Sequence, residues 1–291
     1  MATILVVGGT GFIGRRVVVQ LIAAGAVPRV FDLPQAIARY QAPAGCDVVL
    51  GDAVQADDIA RAAEGCAGIV HLAGIMTVDC AANPARAIDV NLVTSLNVLQ
   101  AAARWKIPVA YLGTAGVFGP DSATHPKPMT VYGVTKLAVE GLARVFAADH
   151  GVSSLGLRPY IVYGPGISSG IAAGPSIALA ASVTREAAMI RFSGRVGFVH
   201  VDDVARLLVA GALHPAPGAH VLTMAGDTQE MTDFVAELAR QSGWDGIGIE
   251  GPPLRIPADL ASDPVPADYG SQPVTRLAEG IAATLAELRA K

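Results

Sequence analysis

The run Gly8-Gly9-Thr10-Gly11-Phe12-Ile13-Gly14 constrains this chain more than any other feature. The apolar segment Ile4–Val7 precedes it, and a helical stretch over residues 12–24 follows it. Glycine at 8, 11 and 14 lets the backbone turn tightly and approach another group closely. The helix start then offers unpaired N–H groups and a partial positive charge to a pyrophosphate. A bare strand-to-helix turn also uses glycine. The strand before the loop and the helix after it favour a dinucleotide cofactor here.

The rest of the chain continues that rhythm. Strands are predicted at Ile4–Val7, Arg29–Asp32, Asp47–Leu50, Ile69–Leu72, Val109–Leu112, Ser154–Leu157 and His220–Met224. Helices are predicted over residues 12–24, 55–64, 84–104, 131–150 and 201–213. Alternating strands and helices predict βαβ units and a parallel sheet, with right-handed crossovers. Residues 164–197 and 226–291 break the pattern. The second of these holds helices at Met231–Ser242 and Val274–Lys291, separated by a proline-rich segment from Pro252 to Pro273. Proline cannot donate to a ladder, so that segment is poor sheet material. The expectation is an α/β doubly wound sheet over residues 1–163, rejoined by 198–225. A smaller lobe over 164–197 and 226–291 would cover its end.

Composition excludes several alternatives. The chain has 291 residues, 52% apolar and 16% charged, with a formal net charge of −4. It has no basic run, which disfavours nucleic acid and acidic membrane surfaces. Its mean hydropathy of +0.46 raises the question of a membrane span. Gly, Pro, Arg or Asp interrupts each apolar stretch before the roughly 20 residues a span needs. The hydropathy is accounted for by alanine-rich helices and by Val/Ile/Leu strands of a sheet covered on both faces. Cys46, Cys66 and Cys80 show no C-x-x-C spacing, so no disulfide framework or cysteine metal site is expected. The expectation is a cytoplasmic protein with reduced thiols and no metal.

Particular side chains then specify chemistry. Asp32 ends the second predicted strand, where a carboxylate accepts from both ribose hydroxyls and repels a 2′-phosphate. NAD is therefore expected over NADP, although Arg15, Arg16 and Arg29 are close in sequence and would weaken the preference. Asp52 follows the third strand and suits either the adenine amino group or a surface turn. Tyr132 and Lys136 are four apart and share a helical face. A nearby ammonium and an oxidised nicotinamide would both favour the phenolate. Thr114 ends the fifth strand, where its hydroxyl would orient a reacting oxygen.

The ordered set Asp32, Gly51-Asp52, His71-Leu72-Ala73-Gly74, Asn91, Thr114-Ala115-Gly116, Tyr132…Lys136, Leu157-Arg158-Pro159…Val162-Tyr163-Gly164-Pro165-Gly166 and His200-Val201-Asp202-Asp203 resembles the extended short-chain dehydrogenases/reductases of the NAD-dependent epimerase/dehydratase group. The resemblance spans nearly the whole chain. It implies a Rossmann-like cofactor domain with a small C-terminal substrate-binding lobe. It implies Thr114, Tyr132 and Lys136 as the catalytic set. NAD would lie along Gly8, Gly11, Phe12, Ile13, Gly14, Asp32, Asp52, Ala53, Leu72, Ala73, Gly74, Asn91, Tyr132, Lys136 and Pro159. Met76, Ala115, Tyr160, Ile161 and Arg191 would border the substrate. It also implies a homodimer, with helices 84–104 and 131–150 forming a four-helix bundle; the alternative is that they only cover the sheet.

His71 is expected to be a packed, hydrogen-bonded histidine, and His200 to cap the helix that follows it. Nucleotide-sugar enzymes of the group commonly carry an asparagine where Ile161 stands, and isoleucine cannot supply that hydrogen bond. Arg191 and Arg195 fall where substrate anions are often held, though both also suit a solvated surface. The expected activity is NAD-dependent oxidation of a secondary hydroxyl, or reduction of a ketone, on a small polar substrate such as a sugar or hydroxy acid. The alternatives are a nucleotide-sugar epimerase/dehydratase that retains NAD and a non-catalytic NAD-sensing binding protein.

Overall fold

The computed structural model describes residues 1–167 and 169–290. Ser168, within the expected lobe, and Lys291, at the end of the last predicted helix, lie outside the described residues. The strands are β1 Thr3–Val7, β2 Val27–Asp32, β3 Asp47–Leu50, β4 Gly68–His71, β5 Val109–Leu112, β6 Ser154–Pro159, β7 Ile161–Tyr163, β8 Ala188–Ile190, β9 Arg195–His200, β10 Ala219–Met224, β11 Asp227–Glu230 and β12 Ile247–Ile249. Seven of them form one sheet in the order β10-β6-β5-β4-β1-β2-β3. Every pairing within it is parallel. The chain runs outward from β1 to β3, returns to β4 beside β1 and continues in the other direction. The switch point lies between β1 and β4, where ligands of such sheets bind.

The residues of β1 explain how this sheet is covered. Ile4, Leu5, Val6 and Val7 are all fully buried. Side chains alternate across a strand, so Ile4 and Val6 enter one core while Leu5 and Val7 enter the other. Helices Phe12–Ala23 and Val201–Leu213 supply Val17, Leu21, Val204 and Leu208 to the first core. Helices Ala56–Ala62, Thr94–Trp105 and Val131–His150 supply Ile59, Leu99 and Val139 to the second.

Two predicted helices change form. The stretch predicted over 84–104 is α-helical at Pro84–Ala87 and Thr94–Trp105, with a π-helical segment at Ile88–Val93 between them. The Thr94 and Ser95 hydroxyls donate to the Val90 and Asn91 carbonyls, each at 2.6 Å, within this widened turn. The helix predicted from Val274 starts at Leu277. Asp203 accepts from both the backbone N–H (2.8 Å) and the hydroxyl (2.9 Å) of Thr275, and Asp227 accepts from Leu277 N at 2.8 Å. His200 does cap the helix Val201–Leu213, accepting from Asp202 N at 3.3 Å.

The remaining strands form a three-stranded sheet, β11-β9-β7, and the parallel pair β12-β8. The three-stranded sheet joins Ile161–Tyr163 to Asp227–Glu230, so boundaries at residues 163 and 198 cross a hydrogen-bonded unit. The proline-rich segment makes no strand of its own, but it is fastened to the sheet. Asp263 N donates to Thr223 O at 3.0 Å, and Thr223 N donates to Asp263 Oδ2 at 2.7 Å. The Tyr160 hydroxyl donates to Ile256 O at 3.0 Å. Among the described residues, no helix is long and apolar enough to cross a membrane.

Candidate functional site

The glycine loop is built where β1 ends beside β4. Gly8 has φ of +80°, and a Cβ added there would lie 2.7 Å from Ala73 N. At Gly14 an added Cβ would lie 2.5 Å from Gly8 O, so the first helical turn packs directly on the loop. The helix Phe12–Ala23 starts at Gly11 with no side-chain cap and no acidic residue in its first turn. Its N-terminal N–H groups therefore remain suited to an anion.

Asp32 closes the loop from the side. Thr10 donates to Asp32 Oδ2 from its hydroxyl at 2.6 Å and from its N–H at 3.2 Å, and Leu33 N donates to Oδ1 at 2.9 Å. Each carboxylate oxygen retains acceptor capacity, so a ribose diol fits this position. Two of the three nearby arginines are committed elsewhere. Arg16 pairs with Asp202 at 2.6 Å and Glu287 at 2.8 Å, while Arg29 donates to Ala62 O and Glu64 O. Arg15 donates to Thr10 O at 2.7 Å and faces the Tyr40 ring. Asp52 is exposed and accepts from Val54 N at 3.0 Å, which organises the turn before the helix Ala56–Ala62. Ala53 is buried beside it, its carbonyl accepting from Asn97 Nδ2 at 3.0 Å. The close-packed glycines, the uncapped helix start and the Asp32 carboxylate together fit a dinucleotide.

The second half of the site collects at the carboxyl ends of β4, β5 and β6. Leu72 N donates to Val7 O at 2.8 Å, which sets Ala73 against Gly8. A methyl on Gly74 would lie 3.0 Å from Asn91 Oδ1 and 3.5 Å from Lys136 Nζ. Asn91 is fully buried in the π-helical segment. It accepts from Ile75 N at 2.8 Å and donates to Ile75 O at 3.1 Å, Thr135 Oγ1 at 3.2 Å and Cys80 Sγ at 3.4 Å. Its amide thus clamps the Gly74–Ile75 turn.

Thr114, Tyr132 and Lys136 converge from two elements. Thr130 caps the helix Val131–His150, accepting from Gly133 N at 3.0 Å, which sets Tyr132 in its first turn. Thr114 Oγ1 accepts from Gly116 N at 3.0 Å, and the Thr114 side chain is close enough to the Tyr132 phenol to act on its ionisation. Lys136 Nζ donates to Leu112 O at 2.8 Å and lies 5.8 Å from the centre of the Tyr132 ring.

Without a cofactor, burial dominates the ionisation of this pair. Burial, reinforced by Cys80, pushes the Tyr132 phenol up to about 12, against the opposing hydrogen bond from Thr114. Burial brings Lys136 down to about 8, against a smaller opposing effect of Cys80. The ammonium is directed at the Leu112 carbonyl and does not offset burial at the phenol. His71 is the packed histidine expected. Its Nε2 is 2.9 Å from Ser95 Oγ, and burial, with Lys136 adding to it, lowers it to about 3.

Three of the five expected substrate residues are buried. Ile161 is only 2% exposed and belongs to the core. Ala115 is buried, and Tyr160 is buried with its hydroxyl on Ile256 O. Pro159, expected on the cofactor side, ends β6 in a buried position. Arg191 is exposed and ion-paired with Glu250, so it is a surface residue facing an acidic partner. Met76 remains accessible at 39% exposure, and a methyl on Gly170 would lie 3.9 Å from its sulfur. Cys80 was not expected in the site. It is in the helix Thr77–Ala82, for which the sequence gives no clear periodicity, and its thiol donates to Ile75 O at 3.3 Å. Among the described residues, no group of three or more His, Cys, Asp or Glu could hold a metal ion.

Comparison with known proteins agrees with this geometry. The model of the NAD dependent epimerase/dehydratase family matches residues 4–224. A UDP-glucose 4-epimerase from Azospirillum brasilense is 32% identical over 171 residues, covering 55% of this chain and 49% of that protein. The chain thus spans about half the length of the curated epimerases it matches. The solved UDP-glucose 4-epimerase of Thermotoga maritima superposes with a TM-score of 0.85 at 24% identity, covering 99% of both chains. A partial-consensus L-threonine 3-dehydrogenase superposes with a TM-score of 0.85 at 21% identity, covering 99% of this chain and 100% of that one. Both structures share the fold. With its glycine loop, Asp32 and Tyr132/Lys136 helix in the matched region, the chain belongs to the NAD-dependent epimerase/dehydratase family of extended short-chain dehydrogenases/reductases, and its cofactor is NAD.

Proposed function

We propose that this protein is an NAD-dependent oxidoreductase that interconverts a secondary hydroxyl and a ketone on a small polar substrate. The observation that carries this reading is the meeting of Thr114 and Tyr132 beside Lys136, at the same carboxyl end of the parallel sheet as the glycine loop. Bound NAD supplies hydride transfer and, when oxidised, a positive charge at the site. Tyr132 Oη takes the substrate hydroxyl proton in oxidation and returns it in reduction. Thr114 Oγ1 hydrogen-bonds the reacting oxygen and orients it. Lys136, held by Leu112 O, keeps an ammonium beside the ring and assists the phenolate once the cofactor is in place. The expected NAD-contacting positions are those of the glycine loop, Asp32 and Leu72–Gly74, with Met76 at the substrate side.

The likeness to a UDP-glucose 4-epimerase at 32% identity supports a second reading, isomerisation with retained NAD. Exposed Ile88, Val134 and Val145, on or beside the two long helices, support a homodimer; a monomer mass in solution would remove that part of the proposal. The central test screens sugars, sugar acids and hydroxy acids for NADH formation. Net NADH is expected from a secondary alcohol, whereas an isomerised product with retained cofactor selects the epimerase. Tyr132→Phe should keep NAD binding and lose about 10²–10⁴ in turnover. Unchanged turnover in that variant refutes the assignment.

A further inference from the structure

A buried ion pair lies directly behind the proposed catalytic groups. Arg158 donates from Nε to Glu140 Oε1 at 2.7 Å and from Nη2 to Glu140 Oε2 at 2.5 Å. The Glu140 side chain is 1% exposed and that of Arg158 14%. This bidentate pair contrasts with the exposed Arg191–Glu250 pair. Glu140 is four residues after Lys136 and eight after Tyr132, on the same face of the helix.

Arg158 also reaches the other two elements of the site. Its guanidinium stands 5.1 Å from the centre of the Phe118 ring, just after the short helical turn that Thr114 caps. A methyl on Gly113 would lie 3.5 Å from Arg158 Cγ, and Gly113 separates Thr114 from Leu112, whose carbonyl receives Lys136. One side chain therefore spans the Tyr132/Lys136 helix, the Thr114 turn and the end of β5.

We propose that Arg158, oriented by Glu140, is a positioning residue that fixes Thr114, Tyr132 and Lys136 relative to one another. The proposal rests on the proton-transfer role given to Tyr132 above. A buried pair needs no such role merely to hold the fold, because apolar residues of similar volume often match its stability. A misplacement of about 1 Å at reacting groups, in contrast, costs up to about 100-fold in rate. The two effects are thereby separable.

The test compares wild type, the double variant Glu140→Leu/Arg158→Met, Arg158→Lys and the Tyr132→Phe control with the alcohol that gives NADH. In the double variant the melting temperature and NAD affinity should stay near wild type while kcat falls by at least about tenfold. Arg158→Lys keeps the charge but loses the fork and the flat face, so its kcat should fall between wild type and the double variant. A folded double variant with wild-type kcat overturns the proposal. Should the double variant fail to fold, Arg158→Lys decides alone: reduced kcat with intact NAD binding supports it, and unchanged kcat overturns it. If Tyr132→Phe keeps its turnover, the assignment of Tyr132 fails instead, which the control reports separately.

Discussion

Lys136 shows how one side chain links catalysis to stability. Burial holds it at about 8, against 10.5 for the free side chain. The folded protein therefore binds fewer protons than the unfolded chain between those values. Stability from this group is complete above pH 10.5 and lost as pH falls through 8. The difference amounts to about 3 kcal/mol at neutral pH. Lys136→Met removes that cost and leaves Leu112 O without its donor, a loss of about 1 kcal/mol. The variant should be inactive yet melt about 5 °C higher than wild type at pH 7. The gap should shrink toward pH 10 in thermal melts. An equal gap at both values would contradict the charge-burial account. Tyr132, pushed up to about 12 by burial, works in the opposite direction, and its contribution is lost as pH rises from 10 through 12. The sequence made the identity of both residues and their shared face legible. The burial that dominates their ionisation comes from distant segments, and Cys80 reaches them from a helix without a sequence signature.

At the scale of elements, the glycine loop was the most legible part of the molecule and the π-helical segment the least. Glycine spacing reports backbone clearance directly, and the clearances are severe. Gly14→Ala would place a methyl 2.5 Å from Gly8 O and 2.7 Å from Gly9 O. It should lower NAD affinity by more than about tenfold, because the loop has to move to admit it. Gly141→Ala is the control, since its nearest neighbour is Arg144 Nη2 at 3.9 Å and alanine favours a helix. Calorimetric titration with NAD should separate the two variants; equal affinities would mean that the packed loop does not govern binding. A widened helical turn leaves no periodic trace, so the sequence located helix 84–104 without showing that Asn91 turns inward to clamp Ile75. The proline-rich segment was correctly excluded from the sheet. Its attachments, through Asp263 to Thr223 and Ile256 to Tyr160, depend on partners 40 and 96 residues away.

Across the whole molecule, the parallel sheet and its covering on both faces follow from the alternating runs of the sequence, while the strand order comes from the structure. The seating of the last helix does not follow from those runs. Helix Leu277–Arg289 packs on β7 through Gly280, where an added Cβ would lie 1.9 Å from the Tyr163 hydroxyl. That hydroxyl is buried and makes no hydrogen bond within the described residues. Gly280→Ala should destabilise the protein by about 1–3 kcal/mol. Tyr163→Phe alone should be close to neutral, because no hydrogen bond is lost. Combined, the two changes should recover part of the loss, giving a coupling that a double-mutant cycle in denaturant can measure. Simple additivity would show that the helix is not seated on this hydroxyl.

The fastened proline-rich segment has a further consequence for how copies of this chain meet in a crowded solution. β10 is a margin of the seven-stranded sheet, and its Thr223 N–H and C=O face outward into Asp263. A margin left bare would be a template for a passing strand from another molecule. Here its Thr223 end is covered by a segment whose prolines cannot extend the ladder. The opposite margin, β3, is only four residues long and begins at Asp47, which limits its use as a template. The fastened segment therefore guards the Thr223 end of the sheet's longer margin against a passing strand.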